Sequence, residues 1–112
     1  MKIFLDDIRA IPRGYEGARS YSEFIRIFEQ NKGNVEEISL DHDLGEIRSG
    51  YSVAKWIVEN DYFDGLKTII IHSANPVGVK NMIQLFDRYA PEGVELFYMN
   101  LNKEYEKVPR SR

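Results

Sequence analysis

The chain has no cysteine, one tryptophan and only two histidines in 112 residues. Without cysteine there is no disulfide scaffold, no thiolate zinc site and no cysteine nucleophile. Nothing approaches the roughly 18 consecutive apolar residues of a membrane span. Met1-Lys2-Ile3 runs straight into a strand pattern, with no apolar leader and no small-residue cleavage site, so a cytoplasmic location is expected and no membrane partner. Positive charge is in deficit: 15 Lys and Arg stand against 18 Asp and Glu, a formal net charge of −3. That excludes an extended nucleic-acid surface but leaves room for a small nucleotide or an RNA end. No Walker loop, dinucleotide fingerprint or Gly-x-Ser-x-Gly elbow occurs.

What is there is a globular composition, 43% hydrophobic and 29% charged, with no internal repeat and no linker. The length suits a single domain over residues 1–112. Area scaling gives roughly 6,400 Å² exposed when folded against about 19,000 Å² unfolded, enough burial for a core without staples.

Strands and helices alternate. Lys2 to Leu5 reads as a buried strand stopped by Asp6-Asp7, and Pro12, Gly14 and Gly17 make the next segment a loop. Ala18 to Ser20 is a brief strand candidate. Ser20 is an N-cap with Glu23 completing a capping box, and Tyr21, Phe24, Ile25 and Phe28 follow at helical spacing. Val35 to Leu40 is a strand stopped by Asp41-His42-Asp43. A helix runs from Tyr51 to Asn60 after a loop in which Gly45, Ser49 and Gly50 could close over a ligand. Leu66 to Ile71 is a β-branched strand ending at His72-Ser73-Ala74-Asn75. Asn75 caps a helix with Pro76 at its first position and Val79, Met82, Ile83 and Phe86 on one face. Val94 to Met99 is the last strand. Trp56, Met82 and Phe86 are expected in the core. The tail from about residue 101, with Lys107, Arg110 and Arg112, is expected to be solvated and flexible.

Alternating apolar strands and helices predict a parallel sheet covered on both faces. In such sheets ligands bind beyond the carboxyl ends of the strands. Asp6-Asp7, Asp41-His42-Asp43 and His72-Ser73-Ala74-Asn75 all follow strand ends, so the topology brings them to one edge. Clustered carboxylates raise one another's pKa, and a hard cation with oxygen ligands relieves the repulsion. Asp6, Asp7 and Asp41 are the expected ligands of Mg²⁺ or Mn²⁺. His42 and His72, the only histidines, lie on the same edge and are candidate acid–base groups. Ser73 and Asn75 precede a helix N-terminus that favours an anion, and Arg9 could clamp a phosphate. The simpler role of Asn75 as an N-cap is compatible with this.

The double Asp, the Asp after a middle strand and the Ser after the next resemble a response-regulator receiver domain. The resemblance implies a flavodoxin-type α/β three-layer sandwich with a mostly parallel five-stranded sheet of order 2-1-3-4-5; this sequence departs from it, since Ile8 to Gly17 is too short and broken for a first helix and no last helix is evident, so both are reduced or absent. It also implies Mg²⁺ at Asp6 and Asp7, a phosphoacceptor role for Asp41 and the hydroxyl position for Ser73. Receivers carry a lysine after the last strand; here Lys103 is the first. The wider set, Leu5-Asp6-Asp7-x-Arg9, Ser39-Leu40-Asp41-His42-Asp43-Leu44-Gly45, Ser49-Gly50-Tyr51 with Trp56, and His72-Ser73-Ala74-Asn75-Pro76 with Asn81-Met82, is similar to the cyclic-phosphate processing receiver-like family. That family implies handling of cyclic phosphates of nucleotides or RNA ends.

The function expected is a metal-dependent phosphoesterase. Asp41 or Asp43 would act as base, or Asp41 as nucleophile. His72, helped by His42, would protonate the leaving oxygen, with Arg9, Ser73 and Asn75 on the phosphoryl oxygens. The alternative is a non-catalytic module that takes phosphate on Asp41 or sequesters a nucleotide.

Overall fold

In a computed structural model that describes residues 1–111, the elements run β1 (Lys2–Leu5), β2 (Glu16–Ala18), α1 (Tyr21–Gln30), β3 (Glu37–Leu40), α2 (Gly50–Glu59), β4 (Thr68–Ile71), α3 (Pro76–Tyr89), β5 (Glu95–Met99) and β6 (Tyr105–Lys107). The sheet order is β2-β1-β3-β4-β5-β6, parallel throughout except for β6, which pairs antiparallel with β5. The expected 2-1-3-4-5 order therefore holds, with a sixth strand added at the edge. No described helix is long and apolar enough to cross a membrane. The accessible surface, 6428 Å², matches the area that chain length alone predicts.

Strand register explains how the layers form. Ile3, Ile38, Ile69 and Leu96 are successive register partners, as are Leu5, Leu40 and Ile71. They form one cluster with Phe24, Ile27 and Phe28 of α1, Val53, Ala54 and Ile57 of α2, and Met82 and Phe86 of α3. All three helices thus share one face of the sheet. Side chains alternate along a strand, so Phe4, Ser39, Ile70 and Phe97 stand on the other face. No helix covers them among the described residues. Tyr15, from the loop between β1 and β2, lies edge-on to Phe4, hydrogen-bonds Glu37 and takes Lys2 over its ring. Tyr105 and Pro12 complete the cover and enclose a small cavity bounded by Phe4 and His72.

Three local expectations change. The second strand is Glu16–Ala18, two residues earlier than expected, because Ser20 is committed to capping α1 through the Glu23 N–H. The Glu23 carboxylate takes the Arg19 N–H instead of closing the capping box on Ser20. Trp56 is half-buried, edge-on to Phe28 and Tyr62, while Met82 and Phe86 are fully buried. The tail is not a free end through residue 111. Residues 105–107 add to the sheet, Val108 donates to the Leu96 carbonyl, and Arg110 folds back beneath α3. Its guanidinium pairs with Asp87 and donates to the carbonyls of Ala90 and Val94. The Ala90 carbonyl is one that the last turn of α3 leaves unpartnered, and Val94 is the residue before β5. Arg112 lies outside the described residues.

Candidate functional site

The site lies at the carboxyl ends of β1, β3 and β4. Asp6 is the residue after β1, Asp41 the residue after β3 and His72 the residue after β4. The ladders carry on into them: the Asp41 N–H donates to Leu5 and the His72 N–H to Leu40. Their side chains therefore project on the face of Phe4 and Ser39, away from the helices. Asp6, Asp7 and Asp41 bring one carboxylate oxygen each within 4.8 Å of one another.

Asp6 is fully buried and fully bonded. Oδ1 accepts the N–H groups of Ile8 and Arg9; Oδ2 accepts Arg9 Nη1 at 2.8 Å and His72 Nε2 at 3.0 Å. Burial alone pushes this carboxyl up, but the Arg9, Ile8 and His72 donors outweigh it and hold the pKa at about 2. Arg19, which the sequence reading passed over, fixes the loop by donating to the carbonyls of Asp6 and Arg9.

His72 is 2% exposed and stacks on Phe4 at 4.2 Å between ring centroids. Its Nδ1 lies 2.7 Å from Ser39 Oγ. A carboxylate only accepts, so Nε2 carries the proton toward Asp6, and a neutral ring takes the Ser39 hydroxyl at Nδ1. Burial drives the pKa down to about 4, more than the Asp6 bond restores. With both nitrogens engaged, His72 orients Asp6 and does not present a proton to solvent. That changes the role expected of it.

Asp41 is also buried, and its pKa is raised, first by desolvation and then by the charge on Asp6. The Ser73 hydroxyl, the His42 N–H and Arg9 partly offset this. Arg9 Nη1 is 3.5 Å from Asp41 Oδ2, so one guanidinium faces both buried carboxylates. Ser73 also accepts the Asn75 N–H.

His42, Asp43 and Asn75 form a separate group at the rim. Asp43 turns outward with its side chain 70% exposed, so of the two aspartates flanking His42 it is Asp41 that faces the carboxylate cluster. His42 Nδ1 lies 2.8 Å from Asp43 Oδ1, and burial and bonding differ sharply from His72: its side chain is 21% exposed. The bond to His42 and the Asn75 amide hold the Asp43 carboxyl below its ordinary value. Asn75 acts as the N-cap of α3, with Oδ1 accepting the Gly78 N–H and Nδ2 turned to Asp43. The His42 ring packs against the first turn of α3; a Cβ at Gly78 would lie 2.4 Å from it. His42 opens on a polar groove between α2 and α3, with Ser49, Asn81 and Gln84.

A model of the cyclic-phosphate processing receiver domain matches residues 1–88, and so covers every residue described above. The chain belongs to this family. No curated protein and no solved structure matches it. The association with cyclic phosphates points to a phosphorylated ligand.

This receiver domain replaces the missing last helix with the β5–β6 hairpin. Lys103 sits at its turn in the left-handed region, φ 61°. It lines both the Phe4–His72 cavity and a larger one beside Arg9 and Ser73. The first lysine after β5 thus lines the cavities beside Arg9, Ser73 and His72 from a turn. Only the pairing of β6 could have revealed that, and its exposed Tyr-Glu-Lys carries no apolar signal.

Proposed function

We propose that this receiver domain is a phosphoesterase that opens a cyclic phosphate of a nucleotide or RNA end with Mg²⁺ or Mn²⁺. The observation that carries the proposal is the convergence of Asp6, Asp7 and Asp41 opposite Arg9. Three carboxylates with hard oxygen donors fit such a cation, which keeps several waters and takes its remaining ligands from phosphate. When bound, the cation polarises the phosphoryl oxygens. Asp6 already accepts four hydrogen bonds, about the capacity of a carboxylate. Arg9 and His72 share Oδ2, so Asp6 would hold a cation there if one of these donors gave way; were it Arg9, its guanidinium would be free for the phosphate.

The residues of the chain divide the work. Arg9 and Ser73 donate to phosphoryl oxygens as charge builds on them. Asp41 is next to both. Acting as nucleophile, its carboxylate forms a bond to phosphorus while the ring P–O bond breaks, and the released sugar oxygen takes a proton. Water then hydrolyses the acyl phosphate to a phosphomonoester. Acting as base, Asp41 takes a proton from a water that attacks directly. His42, backed by Asp43, is the histidine open to solvent and supplies the proton to the sugar oxygen. His72 and Ser39 hold Asp6 in place.

A second reading has support in the closure of His72, whose ring nitrogens are taken by Ser39 and Asp6 and which offers Asp41 no proton. On that reading Asp41 accepts a phosphoryl group and keeps it. Phosphorus NMR on a panel of 2′,3′-cyclic nucleotides and cyclic-phosphate RNA ends separates the two. The phosphoesterase converts ring signal to monoester with Mn²⁺ or Mg²⁺, loses this on chelation, and drops at least a hundredfold in Asp41→Asn and Arg9→Ala. No product with either metal refutes it. A base-labile adduct from acetyl phosphate, absent in Asp41→Asn, identifies the phosphoacceptor.

A further inference from the structure

Beside the acidic edge, between the start of α3 and the β5–β6 hairpin, lies a cavity of about 640 Å³. Arg9 and Ser73 form one end of it. Its walls are the apolar or flat side chains of Pro76, Val79, Tyr98, Met99 and Leu101. Small-molecule sites have volumes of roughly 300–1,000 Å³, with mostly apolar walls and a few polar groups that fix orientation. The polar groups here are grouped at one side. Glu106 accepts from Tyr98 Oη at 3.0 Å and Asn100 Nδ2 at 3.1 Å, and Asn100 Oδ1 accepts the N–H groups of Asn102 and Glu104. These bonds make the hairpin turn a braced wall. Asn102 and Lys103 border the cavity from that wall.

Leu101 is 100% exposed at the tip of this turn. An aliphatic side chain held in water by a braced turn, at the mouth of an apolar-walled cavity, is placed to cover a flat apolar ligand. The hairpin lies beyond residues 1–88, outside the family match.

We propose that this cavity is a nucleoside site, which takes the base of the nucleoside whose phosphate meets Arg9 and Ser73. This rests on the cyclic-phosphate reading for the orientation of the ligand. The chemistry required is a planar heteroaromatic joined through a polar sugar to phosphate. The base stacks against Tyr98 and Met99 beneath Leu101, and its edge meets the Asn102 amide, a side chain suited to paired donors and acceptors on a base edge. An inositol or glycerol phosphate offers no such face to the walls.

Calorimetry and amide-shift NMR test this on the full chain, using adenosine, uridine, ribose 5-phosphate and adenosine 2′,3′-cyclic monophosphate as probes, without metal. The expected result is binding of the cyclic nucleotide at least tenfold tighter than ribose 5-phosphate. Shifts should fall on residues 77–79 and 98–103, and most of the advantage should be lost in Leu101→Ser, a change at a fully exposed position. Adenosine or uridine alone should shift the same amides, independently of any phosphate chemistry. If a nucleoside binds there but no phosphate does, also after Mg²⁺ or Mn²⁺ is added, the nucleoside site stands and the phosphoesterase reading falls. If ribose 5-phosphate and the cyclic nucleotide bind equally, or Leu101→Ser changes nothing, the nucleoside site is overturned and the phosphate site remains. An RNA oligonucleotide with a cyclic end, binding more tightly than the mononucleotide, identifies an RNA terminus as the source of that nucleoside. Equal or weaker binding identifies the free nucleotide.

Discussion

Acid should loosen this fold through His72 well before its carboxylates are protonated. The imidazole is buried, bonded to Ser39 and Asp6, and held neutral with a pKa of about 4 against an ordinary value of 6.5. The unfolded chain therefore binds a proton below pH 6.5 that the folded chain refuses until about pH 4. Stability from this group is complete above 6.5 and declines as pH falls through that window. At 1.36 kcal/mol per pKa unit the full difference is about 3 kcal/mol, of which about 2.5 kcal/mol is gone by pH 4.5. Two carboxylates frame the window without cancelling it. Asp6, at about 2, adds a loss only below its ordinary 3.8. Asp41, raised by burial and by the charge on Asp6, binds its proton earlier when folded, which opposes the trend above its ordinary 3.8. Urea titrations followed by Trp56 fluorescence, in chelator, measure the effect directly. With a slope of about 1–3 kcal/mol/M, the midpoint should fall by about 1–2 M between pH 7.5 and pH 4.5. His72→Gln should be less stable at pH 7.5 and lack the step. A wild-type midpoint that stays flat from pH 6.5 to 4.5 would refute the neutral, doubly bonded His72 and with it the account of how Asp6 is held.

Two further predictions concern backbone approach and the chain end. Gly50→Ala should cost about 3 kcal/mol or more, because its Cβ would lie 1.8 Å from the Asp41 carbonyl oxygen, where helix α2 begins against the loop; the urea midpoint reads it, and wild-type stability would show that the approach is not as close as described. Arg110→Ala should cost about 2 kcal/mol by leaving Asp87 and the carbonyls after α3 without their guanidinium, and hydrogen exchange should quicken at Val108 and around residues 91–96 while the amides of β1 and β3 stay protected.

The site was legible because strand ends mark a ligand edge. Apolar runs stopped by Asp6, Asp41 and His72 placed three polar clusters on one side of a parallel sheet, and parallel register carried the same residues into contact. The hydrogen-bond roles were not legible. His72 is the first residue after β4 and His42 the second after β3; one ring lies on the interior of the open face between Ser39 and Asp6, and the other turns to the rim beside Asp43. Which face a residue takes just past a strand end depends on how the chain leaves the sheet, and no local pattern records that. Ser39 illustrates the point: it opens one of the motif blocks, between buried Ile38 and Leu40, and only its distance to His72 gives it a task.

By itself the sequence determined the alternation of strands and helices, the absence of the first and last helices, the caps at Ser20 and Asn75 and the carboxylate edge. Each of these follows from short-range periodicity, from capping chemistry or from the rule that ligands meet parallel sheets at their carboxyl ends. Tertiary structure alone decided what replaces the missing helices. Tyr15 and Pro12 from a loop and Tyr105 from a polar strand cover the second face, and Arg110 pins the tail that a charged composition had marked as free. Those contacts join residues far apart in the chain through single hydrogen bonds and ring edges. Their energies arise only once the sheet has assembled, so they leave no periodic trace in the order of the residues.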